Sequence, residues 1–106
     1  MSQLPKAYQQ FHTKYPDVYS AYEKLGEAAA NAGPLDARVR ELIKLGMSAA
    51  NRSESAVQSH VHRALEAGAT SEEIEHTLLL GINAVGFSTI MTALAWARAA
   101  VADHGK

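Results

Sequence analysis

The 106-residue chain contains no cysteine. Disulfides, thiolate metal sites and thiol redox chemistry are excluded together, and the compartment is left open on that count. An excess of one charge is missing too. Ten Lys and Arg stand against eleven Asp and Glu, a formal net charge of −1. There is no basic run to track phosphates, which argues against a nucleic-acid partner. No apolar run approaches a membrane span, and the first residues, MSQLPKAYQQFH, lack an apolar signal core. A membrane association is therefore not expected, and a cytoplasmic location is. Period-two alternation and β-branched runs are also absent, so no strand is expected. Neither an internal repeat nor a low-complexity tract is visible.

What is present is apolar residues at helical spacing. The apolar fraction is 47% and the charged fraction 20%, the composition of a folded globular chain. At this length the expectation is one domain over residues 1–106, all-α, with about six helices. Leu4, Tyr8, Phe11 and Tyr15 mark one face of a first helix, closed by Pro16. Asp17 is placed to cap a second, striped by Val18, Tyr22, Leu25 and Ala29 and broken at Asn31–Pro34. Asp36 can cap a third, with Val39, Leu42, Ile43, Gly46 and Ala50 on one side. Ser53 can cap a fourth, with Val57, His60, Val61, Ala64 and Leu65 inward and Gly68 at its end. Thr70 and Glu73 fit a capping box for a fifth.

The fifth helix is apolar nearly all round, since Leu79 and Leu80 lie off the stripe of Ile74, Leu78, Ile82 and Val85. Gly86 interrupts it, and Ser88 can cap a last helix that is equally apolar through Phe87, Ile90, Met91, Leu94, Trp96 and Val101. Two such helices are more than one small domain can bury. Part of their surface is expected to meet another subunit in a homo-oligomer.

His60 and His62 are two residues apart, about 200° around a helix, so they cannot chelate one metal. No metal ligand is assigned. His62 falls on the polar side with Gln58 and Glu66 and is expected at the solvated surface. His60 falls on the apolar side, either as a core histidine holding one hydrogen bond or as a general acid or base. Glu41 bears on that choice. If the third and fourth helices form an antiparallel hairpin turning near Arg52, Glu41 stands eleven residues before the turn and His60 eight after it. The two then lie within about 5 Å of the same level along the hairpin. A carboxylate touching an imidazole fixes its tautomer and favours its protonated form. The competing assignment for Glu41 is a surface ion pair with Arg38 or Lys44.

His76 lies off the main stripe of the fifth helix, where it lines the same cavity as His60 from the other side or sits exposed near the helix start, and Asn83 either satisfies a backbone group in the bend before Gly86 or contacts a ligand. Ser59 points about 100° away from His60 on a helix, and no strand–turn–helix elbow exists to present a serine, so a serine hydrolase is rejected. His12 and His104 carry no assignment.

RELIKLGMSAA followed by SHVHRALEAGATSEEIEHTLLLGINAVGF resembles the carboxymuconolactone decarboxylase family, which includes the alkylhydroperoxidase D-like proteins. The resemblance covers roughly residues 36 to 98. Glu41 matches the family glutamate, His60 the family histidine, and Gly86–Phe87 the last element. The peroxidase branch carries Cys-x-x-Cys ahead of the histidine; those positions are Ser53 and Ala56 here. The decarboxylase branch, which also lacks the thiol pair, is the nearer match. The resemblance implies an all-helical alkylhydroperoxidase D-like bundle assembling into a trimer or hexamer. It also implies Glu41 and His60 as catalytic residues, no cofactor, and a small carboxylated lactone or related acid as substrate. The alternative is a non-catalytic oligomeric scaffold or small-ligand binder of the same fold.

Overall fold

The computed structural model describes residues 6–106, and among them the regular elements are all helices. None of those helices is long and apolar enough to cross a membrane. The chain divides into two compact units, one reaching to Asp36 and one beginning at Ala37.

The first unit pairs α1 (Lys6–Lys14) with α2 (Pro16–Ala30). Proline disfavours helical backbone in the residue before it, and Tyr15 accordingly leaves the helix at φ −129°, ψ 63°. Pro16 then opens α2, where its missing N–H costs nothing. Asp17 sits in the first turn of α2 rather than at its cap, and no side chain caps this helix. The expected aromatic face of α1 holds the pair together. The Phe11 ring stands 5.6 Å from Tyr15 and 6.5 Å from Tyr19, and His12 stacks on Tyr19 at 4.2 Å. Leu4, expected on the same face, lies outside the described residues.

The second unit runs α3 (Ala37–Ala50), α4 (Glu54–Glu66), α5 (Ser71–Leu79), α6 (Ile82–Val85) and α7 (Phe87–Asp103). The expected fifth helix is thus divided, with a turn at Leu80–Gly81 separating a three-turn helix from a single turn. Helices α3 and α4 form the expected hairpin. Its reversal is a Schellman closure: Ser53 N–H donates to Ser48 O at 3.1 Å and Arg52 N–H to Ala49 O at 3.0 Å. Arg52 occupies the left-handed position with φ 55°, the one positive φ outside glycine among the described residues. Helix α4 ends in the same motif, with Ala69 N–H on Ala64 O at 2.9 Å, but there the left-handed position is Gly68, φ 97°.

The caps expected at α4 and α5 are made. The Ser53 hydroxyl accepts from Ala56 N–H at 3.3 Å, and Thr70 and Glu73 form a complete capping box at α5. The cap expected at α7 is not. Helix α7 begins at Phe87 behind Gly86, φ 106°, so Ser88 lies inside the helix rather than at its cap.

The core is built where α3, α4, α5 and α7 converge. Leu45 and Ala49 of α3 meet Val57, Val61 and Ala64 of α4, Ile74 and Leu78 of α5, and Ile90, Ala93, Leu94, Ala97 and Ala100 of α7. The small residues of α7 allow close helix approach, while Leu45, Ile74, Leu78 and Ile90 supply the bulk. The far sides stay uncovered within one chain. Phe87 is 63% exposed, Leu80 66% and Met47 65%.

Candidate functional site

The hairpin brings Glu41 and His60 together across nineteen residues of sequence. The His60 Nδ1–H donates to Glu41 Oε1 at 2.7 Å, and each side chain retains 17% of its exposure. Local sequence explains the placement. Glu41 sits one turn before the fully buried Leu45, and His60 lies between Val57, Val61 and Ala64, all fully buried. Both polar groups are therefore carried at the rim of the core rather than in it.

The electrostatics of Glu41 are a contest. Burial alone would push its carboxyl up. The hydrogen bond from His60, and the charges of His60, Lys44 and Arg63, outweigh that and hold it below its ordinary 4.5. An ionised carboxylate can only accept, so the proton in the contact belongs to Nδ1. The arrangement fixes the tautomer of a neutral His60 and leaves Nε2 for other partners.

The other expected residues are distributed differently. Arg38, a possible partner of Glu41, instead donates to Glu73 Oε2 at 2.7 Å. Lys44 acts on Glu41 through its charge alone. His76, Leu80 and Asn83 all lie at the surface of the chain. His60 and His62 do diverge as their spacing requires. His62, expected in solvent, is half-buried, and its Nδ1 meets Nδ1 of His104 at 2.8 Å. That contact spans 42 residues and no local pattern announces it. No cluster of three or more His, Cys, Asp or Glu suited to a metal occurs among the described residues.

An uncharacterized protein of Haemophilus influenzae is 38% identical over 63 residues, 59% of this chain and 56% of its own length. An uncharacterized protein of Methanocaldococcus jannaschii is 35% identical over 66 residues, 61% of this chain and 64% of its own. The match thus spans under two thirds of these relatives. A carboxymuconolactone decarboxylase family protein from Legionella pneumophila, solved in its apo form, superposes with a TM-score of 0.81. It is 24% identical, with 94% of this chain and 88% of that one covered, which is a likeness of fold. Residues 16–99 match the sequence pattern of one family across most of the chain, so the protein belongs to the carboxymuconolactone decarboxylase family.

Proposed function

We propose that this chain is a cofactor-independent decarboxylase acting on a small carboxylated lactone or related acid. The observation that carries the reading is the 2.7 Å contact between His60 Nδ1 and Glu41 Oε1 at the rim of the core. Family membership supports the reaction class. In the proposed step, the bond from the substrate carbon to its carboxylate breaks and carbon dioxide leaves. The electron pair moves into a carbonyl placed β or vinylogous to it, giving an enolate. Protonated His60 delivers the Nε2 proton to the enolate carbon and regains one from water. Glu41, held ionised, accepts from Nδ1 and orients the ring. With no cysteine, the chain has no thiolate to attack a peroxide.

The assembly is part of the proposal. Leu79, Leu80, Val85 and Phe87 are exposed around the α5–α7 junction. A trimer or hexamer would cover such a surface and could bring a wall of the site from a second subunit. The test of function begins with native mass spectrometry of the purified protein for a co-purified small acid. Carbon dioxide release from carboxymuconolactone is then followed for the parent and His60→Gln. Loss of a general acid is expected to lower turnover by about 10²-fold or more. Parental turnover in His60→Gln would overturn the mechanism.

A further inference from the structure

Away from the Glu41–His60 pair, a cavity of about 180 Å³ lies between the α3–α4 turn and the first half of α7. Arg52, Ser88, Thr89, Thr92 and Trp96 line it, and neither Glu41 nor His60 is among the lining residues. Its mouth is open, with Arg52, Ser88 and Thr92 exposed, and three observations point to what it could take.

The first is the state of its hydroxyls. Of the four threonines inside helices, Thr13 and Thr77 return their hydroxyls to the carbonyl four residues back, at 3.0 and 2.8 Å. A helical threonine either does this or turns its hydroxyl outward, to solvent or to a ligand. The hydroxyls of Thr89, half-buried, and Thr92, exposed, make no hydrogen bond among the described residues, and both line the cavity.

The second is Arg52. It has no ion-pair partner among the described residues, and it occupies a left-handed Schellman position that Gly68 fills at the next helix end. Glycine fits that backbone better, so the turn itself gives no reason for an arginine.

The third is the wall. Trp96 is half-buried, its indole N–H has no partner among the described residues, and Arg52 is the one charged residue of the lining. A lone guanidinium beside unclaimed hydroxyls and an aromatic wall matches a carboxylate on a small apolar body. The volume is below the roughly 300 Å³ at which drug-sized sites begin, which suits a single ring or short chain.

We propose that this cavity is a binding site for a small organic carboxylate, with Arg52 as its cation. It is separate from the site proposed for decarboxylation and does not depend on that reading. The chain has one tryptophan, so its fluorescence reports on the cavity wall directly. Benzoate, benzamide and inorganic phosphate are titrated into the full chain in its native assembly. Benzoate should change the Trp96 emission saturably, and neutral benzamide should bind about tenfold more weakly or worse. Arg52→Gly keeps the backbone conformation and should abolish the preference for benzoate, whereas His60→Gln should leave it intact. Thr92→Val, nearly isosteric, should weaken benzoate without altering the fold. No saturable response to benzoate, equal binding of benzamide, phosphate binding as tightly as benzoate, or full affinity in Arg52→Gly would each overturn the proposal.

Discussion

Ile90 fills the space that a side chain at position 81 would need. A Cβ built on Gly81 would stand 2.7 Å from Ile90 Cδ1, 3.3 Å from its Cγ1 and 3.2 Å from the Leu78 carbonyl oxygen. Ile90 is 1% exposed, so its side chain would have to shift within the core. Gly81→Ala should therefore destabilise the protein by about 1–3 kcal/mol through overpacking. Urea denaturation checks it, and Gly81→Ala combined with Ile90→Val should recover part of the loss.

The Glu41–His60 contact predicts a slope of stability with pH on the acid side. The folded-state carboxyl is held below 4.5, so the unfolded chain takes up the proton first as pH falls. The stabilisation is complete above pH 4.5 and is lost as pH falls through the lowered folded value. Melting temperatures measured across this range should fall less steeply in Glu41→Gln than in the parent. Identical slopes would mean that Glu41 titrates in the folded protein as it does in the unfolded chain.

Removing the imidazole tests whether the pair is structural, catalytic or both. His60→Leu leaves a largely buried carboxylate without its donor, a cost on the order of 1–3 kcal/mol. The double variant Glu41→Gln/His60→Leu should be more stable than His60→Leu alone, because the orphaned charge is gone. A scaffold that holds the pair for stability alone would lose no ligand or turnover in the double variant. Calorimetry and the activity assay on the same samples separate the two.

The exposed apolar residues at the α5–α7 junction predict self-association. Light scattering at micromolar concentration should give a mass several times that of one chain, and Leu80→Glu should reduce it. Leu80 is 66% exposed in the isolated chain, so the substitution should leave the monomer's melting temperature nearly unchanged. A parent protein that is monomeric and folded would overturn the assembly.

The hairpin and its polar pair were legible because they rest on local rules. Ser53 and Thr70 announce helix starts, Gly68 announces an end, and eleven residues against eight places Glu41 level with His60. The division of the fifth helix was not legible. Its sequence is apolar on every side, so periodicity carries no phase, and the turn at Leu80–Gly81 coincides with close packing from α7, through Ile90. Leu80, in that turn, and Asn83, just after it, lie at the surface. Ser88 looked like a cap because serine favours that position, yet Gly86 with its positive φ takes it. The contact between His62 and His104 arises from the docking of α7 on α4, which no stretch of sequence contains. The cavity at Arg52 was hidden for a similar reason: Asn51–Arg52 reads as a break, and its partners lie forty residues on.

The Glu73 carboxylate does two things at once. Its Oε1 accepts the Thr70 N–H at 3.0 Å, opening α5, while its Oε2 accepts from Arg38 of α3 at 2.7 Å. Starting α5 and fastening it to α3 therefore draw on a single side chain, and the consequence is one of timing. A helix of nine residues is too short to persist alone, so the turn that begins it gains lasting support only when α3 is already beside it. Initiation and docking become one kinetic event. Truncating Arg38 and truncating Glu73 should then divide their effects between folding and unfolding rates in the same proportion, as two views of one step in the transition state.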